Sequence, residues 1–182
     1  MDKLLVDVCC GPCSLPLQEL SKEYEIVFYV TDDNVHPYTE YSKRLDSIKL
    51  VAENFKNTIF VDEYKPQEWF DITRGMEDEP EGGKRCLLCY RHRLKRTAKY
   101  AAENNIKLMT TTLTTGPSKK ASIINSIGSE MALRYGIKFL ALDLKKNGGF
   151  LKSITLSKQM GLYRQDYCGC IYSMMHRKIE NA

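Results

Sequence analysis

Strand-like and helix-like segments alternate along this chain, and no other feature narrows the fold as much. Short runs rich in Val, Ile, Leu, Phe and Thr at 4–8, 25–30, 58–61, 108–113 and 139–142 predict five strands. Helical spacing fills the gaps, at 14–24, 39–55, 65–74, 86–104, 118–135 and, for a turn or two, 154–160. In the second of these, Tyr41, Leu45, Ile48, Val51, Ala52 and Phe55 share one side, and Gly136 stops the fifth. Such alternation implies a parallel sheet with helices on both faces. A length of 182 residues suits one domain spanning 1–182. In sheets of this kind ligands bind beyond the carboxyl ends of the strands, where the strand order reverses. The segments after the first and fourth strands, 9–13 and 114–120, are therefore expected to face one crevice if those two strands are neighbours.

Composition sets the context for the chemistry. The hydrophobic fraction of 43% and charged fraction of 27% are ordinary for a soluble protein. No run approaches the roughly 18 to 20 apolar residues of a membrane span, and the first residues are too short for a secretory core. The expectation is a cytoplasmic protein with no membrane partner. In a reducing compartment thiols rarely act as structural staples and more often bind metal or carry electrons. Seven cysteines are present, and they fall in three tight groups: Cys9, Cys10 and Cys13; Cys86 and Cys89; Cys168 and Cys170. Core cysteines would be scattered. Grouping points to a site.

Each group has its own chemistry. Cys10 and Cys13 have C-x-x-C spacing at the start of a helix, where the positive helix end favours thiolate. A thioredoxin-like pair is one reading, and a metal site that also uses Cys9 is the other. Cys86 and Cys89 lie three apart on a helix, with Cβ atoms about 5–6 Å apart, as a zinc or iron–sulfur site requires. Cys168-Gly169-Cys170 can close a small, strained ring of the labile kind, or supply further ligands. Arg164, Asp166 and Tyr167 stand just upstream, where they either orient a substrate and donate a proton or simply pack.

Other motifs exclude as much as they suggest. No Ser-Gly-Gly-x-Asp loop follows the first strand, which argues against the pyrophosphate chemistry of ATP-dependent enzymes on similar folds. There is no Gly-x-Gly-x-x-Gly either. His36, His92 and His176 are isolated and read as structural, His36 beside Pro37 being the hardest to dismiss. The net charge of +4 is modest, but Lys84, Arg85, Arg91, Arg93, Lys95, Arg96 and Lys99 make one segment basic. Such a run is either a solvated helix face or a track for phosphates.

Taken jointly, CCGPC after the first strand, GKRCLLCYRHRL, TTTLTTGPSKK and LYRQDYCGCIYS resemble the QueH family of cobalamin-independent epoxyqueuosine reductases, over residues 4–173. Where the family pattern has Asn-Pro ahead of His-Pro, this chain reads Thr31-Asp32-Asp33-Asn34-Val35-His36-Pro37. The resemblance implies a three-layer α/β sandwich of the HUP-like (adenine nucleotide alpha hydrolase-like) class, with a five-stranded parallel sheet and a cysteine-bearing C-terminal tail. It implies reduction of the epoxide of epoxyqueuosine, carried in a tRNA anticodon, to an alkene with loss of water. It further implies a [4Fe-4S] cluster and an additional iron ion.

Under that reading Cys9, Cys10, Cys86 and Cys89 are the expected cluster ligands. A competing set uses Cys10 and Cys13 and leaves Cys9 for a second metal. Cys168 and Cys170 are expected to supply two electrons as they form a disulfide, with Asp166 or Tyr167 as proton source. A ferredoxin-like or thiol reductant would then reset the enzyme. Ser118, Lys119 and Lys120 at a helix start, with Arg164 and Arg91, are expected to contact the tRNA. The rival readings are a zinc-binding module without activity and a thiol–disulfide oxidoreductase built on Cys10 and Cys13.

Overall fold

The computed structural model describes the backbone of residues 1–180 and the side chains through Arg177. The chain runs β1 (Asp2–Asp7), α1 (Gly11–Ser14), a 3₁₀ segment (Pro16–Lys22), β2 (Tyr24–Val30), α2 (Tyr38–Phe55), β3 (Thr58–Val61), α3 (Pro66–Thr73) and α4 (Lys84–Glu103). It continues with β4 (Leu108–Thr111), α5 (Ala121–Arg134), β5 (Lys138–Phe139), α6 (Gly149–Gln159) and α7 (Ile171–Glu180). The five strands form one parallel sheet in the order β3-β2-β1-β4-β5. The chain winds outward from β1 in one direction and then, through β4, in the other. β1 and β4 are thus neighbours at the reversal, which meets the condition for the segments after them to face one crevice.

Alternation along the strands divides the core. Leu4 and Val6 of β1, with Ile26, Phe28 and Val30 of β2, pack against Ile48, Val51 and Ala52 of α2 and Leu156 of α6. Leu5, Val27, Tyr29 and Met109 face the other way, onto Leu94 and Ala98 of α4 and Ile124, Ile127 and Met131 of α5. The result is the three-layer α/β class that the sequence implies.

Several boundaries differ from expectation for identifiable reasons. The helix expected over 14–24 is one α-helical turn followed by the 3₁₀ segment, because Pro16 has no N–H to continue the hydrogen-bond ladder, although Leu15 before it keeps helical angles. β4 ends at Thr111, and Leu113–Thr115 is a 3₁₀ turn rather than strand. β5 has only two residues, α5 starts at Ala121, and α6 begins five residues before its expected start. The tail beyond the last cysteine forms α7.

One charged cluster pins the reversal point. Arg93 of α4 is fully buried; its guanidinium reaches Asp7 Oδ1 at 2.6 Å and Asn34 Oδ1 at 2.7 Å and pairs with Asp32. Asp7 also accepts the Thr111 hydroxyl at 2.7 Å. The ends of β1 and β4, the loop after β2 and the middle of α4 thereby meet in one polar network. Removing one partner from such a network leaves buried charge uncompensated. Arg93→Met is expected to lower unfolding stability by about 3–5 kcal/mol, measured by urea denaturation, whereas replacing exposed Lys95 should leave the midpoint nearly unchanged.

Candidate active site

The first cysteine group follows directly from how β1 ends. The Cys9 N–H donates to Thr112 Oγ1 at 3.3 Å, and its sulfur lies 3.7 Å from the same hydroxyl, which ties the β1 and β4 loops together. Cys10 is extended and caps α1, its sulfur accepting the Cys13 N–H at 3.2 Å. Cys10 and Cys13 are joined as a disulfide, so Cys13 has a partner. The sulfurs of Cys9, Cys10 and Cys13 lie within 4.8 Å of one another. Gly11 permits this arrangement: a Cβ there would stand 2.6 Å from the carbonyl oxygen of Ser47 in α2.

The second group lies in the first turns of α4. Cys86 is buried in the same core as Cys9 and Cys10, and its sulfur accepts the Gly82 N–H at 3.2 Å. Cys89 follows one turn later, beside the indole of Trp69, whose buried N–H has no hydrogen-bond partner among the described residues. Burial pushes the thiols of Cys9, Cys86 and Cys89 upward. Thiols raised in this way lose their protons when a bound cation supplies compensating charge.

The third group arrives on the tail, which an elaborate clasp holds in place. Arg44 of α2 is buried, donates to the carbonyls of Cys168 at 2.9 Å and Tyr167 at 3.1 Å, and is itself held by Glu40 at 2.7 Å. Glu40 also accepts the Tyr163 hydroxyl at 2.6 Å. His36 contributes three times: its N–H donates to the Gly169 carbonyl at 2.8 Å, its carbonyl accepts the Tyr167 hydroxyl at 2.5 Å, and its Nδ1 accepts the Ile171 N–H at 3.3 Å. Burial lowers the His36 pKa to about 4, so the ring is neutral, stacked on Phe70. Gly169 has φ +140, and a Cβ on it would sit 3.1 Å from the Arg44 guanidinium. Only glycine fits between the two cysteines.

All three groups border one cavity of about 600 Å³. Cys9, Cys13, Cys89 and Cys168 open onto it, while Cys10, Cys86 and Cys170 lie behind its wall. Ser118, Lys119, Arg164, Asp166 and Tyr167 complete much of the lining. Their roles are not all as the sequence suggests. Lys119 turns inward, with its Nζ 3.0 Å from the Cys168 sulfur, whereas exposed Lys120 caps α5. The Tyr167 hydroxyl is committed to the His36 carbonyl, and burial pushes its pKa up to about 12. Asp166 stands exposed at the mouth, and Arg164 donates to Ser157 Oγ at 2.7 Å.

The basic run on α4 is not a free phosphate track. Arg91 pairs with Glu130 of α5 at 2.6 Å and fronts a separate shallow hollow. Arg93 is buried with Asp7 and Asp32, Arg96 pairs with Asp33 and Asp62, and Lys99 lies 3.7 Å from Glu103. Arg91 is thus drawn away from the cavity by a carboxylate that sequence separation concealed. Arg44, Glu40 and Thr112 were not anticipated; nothing in their local sequence marks a buried arginine or a hydroxyl aimed at sulfur.

A sequence profile described as epoxyqueuosine reductase QueH matches residues 4–176. This chain belongs to the QueH family. Proteins of that name from Acinetobacter baylyi and Streptococcus pyogenes serotype M1 are 38% and 36% identical, over 95% and 97% of this chain and 81% and 72% of theirs. The one from Thermotoga maritima is 34% identical over all of this chain and 95% of its own. Among solved structures, the U34-tRNA thiolase NcsA from Methanococcus maripaludis, described with its [4Fe-4S] cluster, aligns with TM-score 0.52 at 15% identity, over 99% of this chain and 66% of that one. A predicted tRNA methyltransferase subunit from Methanocaldococcus jannaschii also reaches 0.52, at 13% identity, over 87% and 88%. Both likenesses concern the fold, and they agree with the HUP-like class.

The QueH fold of this chain makes the clasp testable apart from catalysis. Arg44→Met should cost about 1–3 kcal/mol and raise amide hydrogen exchange selectively at Cys168 and Ile171, whose N–H groups donate to Ser173 Oγ and His36 Nδ1. Equal exchange in both proteins would mean that Arg44 does not hold the tail.

Proposed function

We propose that this chain reduces epoxyqueuosine in tRNA to queuosine, taking two electrons and two protons to turn the epoxide into an alkene and water. The observation that carries this reading is the convergence of three cysteine groups, far apart in sequence, on one cavity at the sheet's reversal point in a QueH-family chain. A cytoplasmic setting fits the free thiols, and no helix among the described residues is long and apolar enough to cross a membrane.

The residues suit an iron–sulfur cluster. Cys9 and Cys86 are sulfur donors in a largely apolar core and Cys89 is one on the cavity, with a Thr112 hydroxyl, a Gly82 N–H and the unpartnered Trp69 N–H set beside their sulfurs. N–H and O–H groups around sulfur are what stabilise and tune bound thiolate. Cys10 completes our set once its bond to Cys13 is opened by a reductant. A [4Fe-4S] cluster bound there would supply single electrons.

The remaining residues handle the substrate. Cys168 and Cys170 give up two electrons as they become a disulfide, which a thiol reductant or a ferredoxin-like donor resets. Asp166, at the open mouth, relays protons between solvent and the leaving oxygen. Ser118 and Arg164 on the lining, with Lys120 nearby, orient the nucleotide and its phosphates. The Cys10–Cys13 bond is the one feature that favours a thiol–disulfide oxidoreductase, and it leaves the other five cysteines without a task.

Anaerobic, iron-loaded and reduced protein should be brown and should convert tRNA carrying epoxyqueuosine, as read by mass spectrometry of the released nucleosides. Cys86→Ser or Cys89→Ser should lose both colour and conversion; Cys168→Ser should lose conversion and keep the colour. Colourless protein carrying one zinc per chain would sink this reading. So would full activity without Cys86 and Cys89.

A further inference from the structure

Cys168 and Cys170 are not equivalent in this structure. Cys168 opens onto the cavity, half-buried, with the Lys119 ammonium 3.0 Å from its sulfur. Cys170 is buried behind the wall, and its sulfur accepts the Ser173 N–H at 3.4 Å in the first turn of α7, near Arg85 and Cys86. Arg44 holds the carbonyls of Tyr167 and Cys168, which fixes the backbone that carries the Cys168 sulfur.

Lys119 is an unusual lysine. Among the described residues no carboxylate lies within ion-pair distance of its ammonium; its neighbours are the Cys168 sulfur and the Tyr90 ring, 5.9 Å from Nζ to the ring centre. Burial works against its charge, yet the adjacent sulfur and phenol outweigh that and its pKa is raised. A half-buried cation with no carboxylate partner favours negative charge beside it, and here the nearest group that can supply it is a thiolate.

We propose that Lys119 makes Cys168 the thiolate that attacks the epoxide, and that Cys170 is the resolving thiol. This rests on the function proposed above and assigns the order of events within it. In the first step the Cys168 sulfur bonds to one epoxide carbon and that carbon's C–O bond breaks. The oxygen, now an alkoxide on the neighbouring carbon, takes a proton from the Lys119 ammonium, which has three to offer. In the second step the Cys170 sulfur attacks the Cys168 sulfur as its thiol proton passes to the departing hydroxyl. The S–S bond forms, the C–S bond breaks, its electron pair becomes the π bond of the alkene, and the hydroxyl leaves and is protonated to water. The sum is epoxide plus dithiol giving alkene, disulfide and water: each sulfur loses one electron, the carbon pair gains two, and the two thiol protons leave in the water.

The test is a single turnover of anaerobic, reduced holoenzyme with tRNA carrying epoxyqueuosine, quenched in acid, digested with nuclease and trypsin, and read by mass spectrometry. Cys170→Ser should accumulate the hydroxylated nucleoside as a thioether on Cys168, and Cys168→Ser should give neither adduct nor alkene. A second measurement needs no change at Cys170: alkylation of Cys168 by iodoacetamide without substrate should be several-fold slower in Lys119→Met and largely restored in Lys119→Arg. Conversion by the wild type without any adduct in Cys170→Ser would overturn the assignment and leave the reductase reading standing, as would an adduct on Cys170 or unchanged alkylation in Lys119→Met. Failure of the wild type to convert the tRNA would remove both.

Discussion

One buried guanidinium organises the site. Arg93 sits between Asp7 at the end of β1 and Asp32 after β2, and those two carboxylates would repel each other across the reversal point without it. Burial disfavours all three charges, and Asp32 is raised by desolvation even with Arg93 beside it. The cluster persists because each charge is matched and hydrogen-bonded, Asp7 by Thr111 and Arg93 by Asn34 and the Thr31 carbonyl. Its geometric consequence reaches the sulfurs. Arg93 is one turn beyond Cys89 on α4, so anchoring it at the β1 end sets Cys86 and Cys89 over the loop that carries Cys9 and Cys10.

The tail is organised by a second arginine with a different task. Arg44 binds backbone carbonyls instead of carboxylates alone, and so fixes a segment that has no regular structure before α7. Its partner in this is the 31–37 loop. That loop supplies Asp32 and Asn34 to Arg93, Asp33 to Arg96 and His92, and His36 to the tail. It is a hub between the sheet and the cysteine pair. His36, read in the sequence as structural, is so because burial keeps it neutral and both its backbone groups and its Nδ1 are occupied by the tail.

Much of this architecture was legible because it depends on short-range pattern. Strand composition and helical period gave the layers, and the position of two loops after two strands placed the crevice. What stayed hidden depends on partners far away in the chain. The basic run from Arg91 to Lys99 looks solvated, yet its arginines find Asp7, Asp32, Asp33, Asp62 and Glu130, contributed from four separate places in the chain. Lys119 and Lys120 look like one phosphate-binding pair, but the helix begins only at Ala121, and the 3₁₀ turn before it sends the first lysine inward and leaves the second outside. Pro16 did announce a break, and the helix expected through it was overextended.

The sulfurs divide by how each could carry negative charge. Those of Cys10, Cys86 and Cys170 are behind the wall with a backbone N–H directed at each, and Cys9 has the Thr112 hydroxyl. A neutral N–H stabilises a thiolate only modestly, so sulfurs in such surroundings ionise when a metal or an oxidised partner shares the charge. Among the described residues Cys168 alone has a full cation at hydrogen-bond distance, and it is half-buried on the cavity. A nucleophile needs charge that is available rather than already shared, and room in front of it for an electrophilic carbon. By that criterion Cys168 is the sulfur placed to meet an electrophile and Cys170 the one placed behind it, an asymmetry that the sequence, with cysteines on either side of one glycine, does not display.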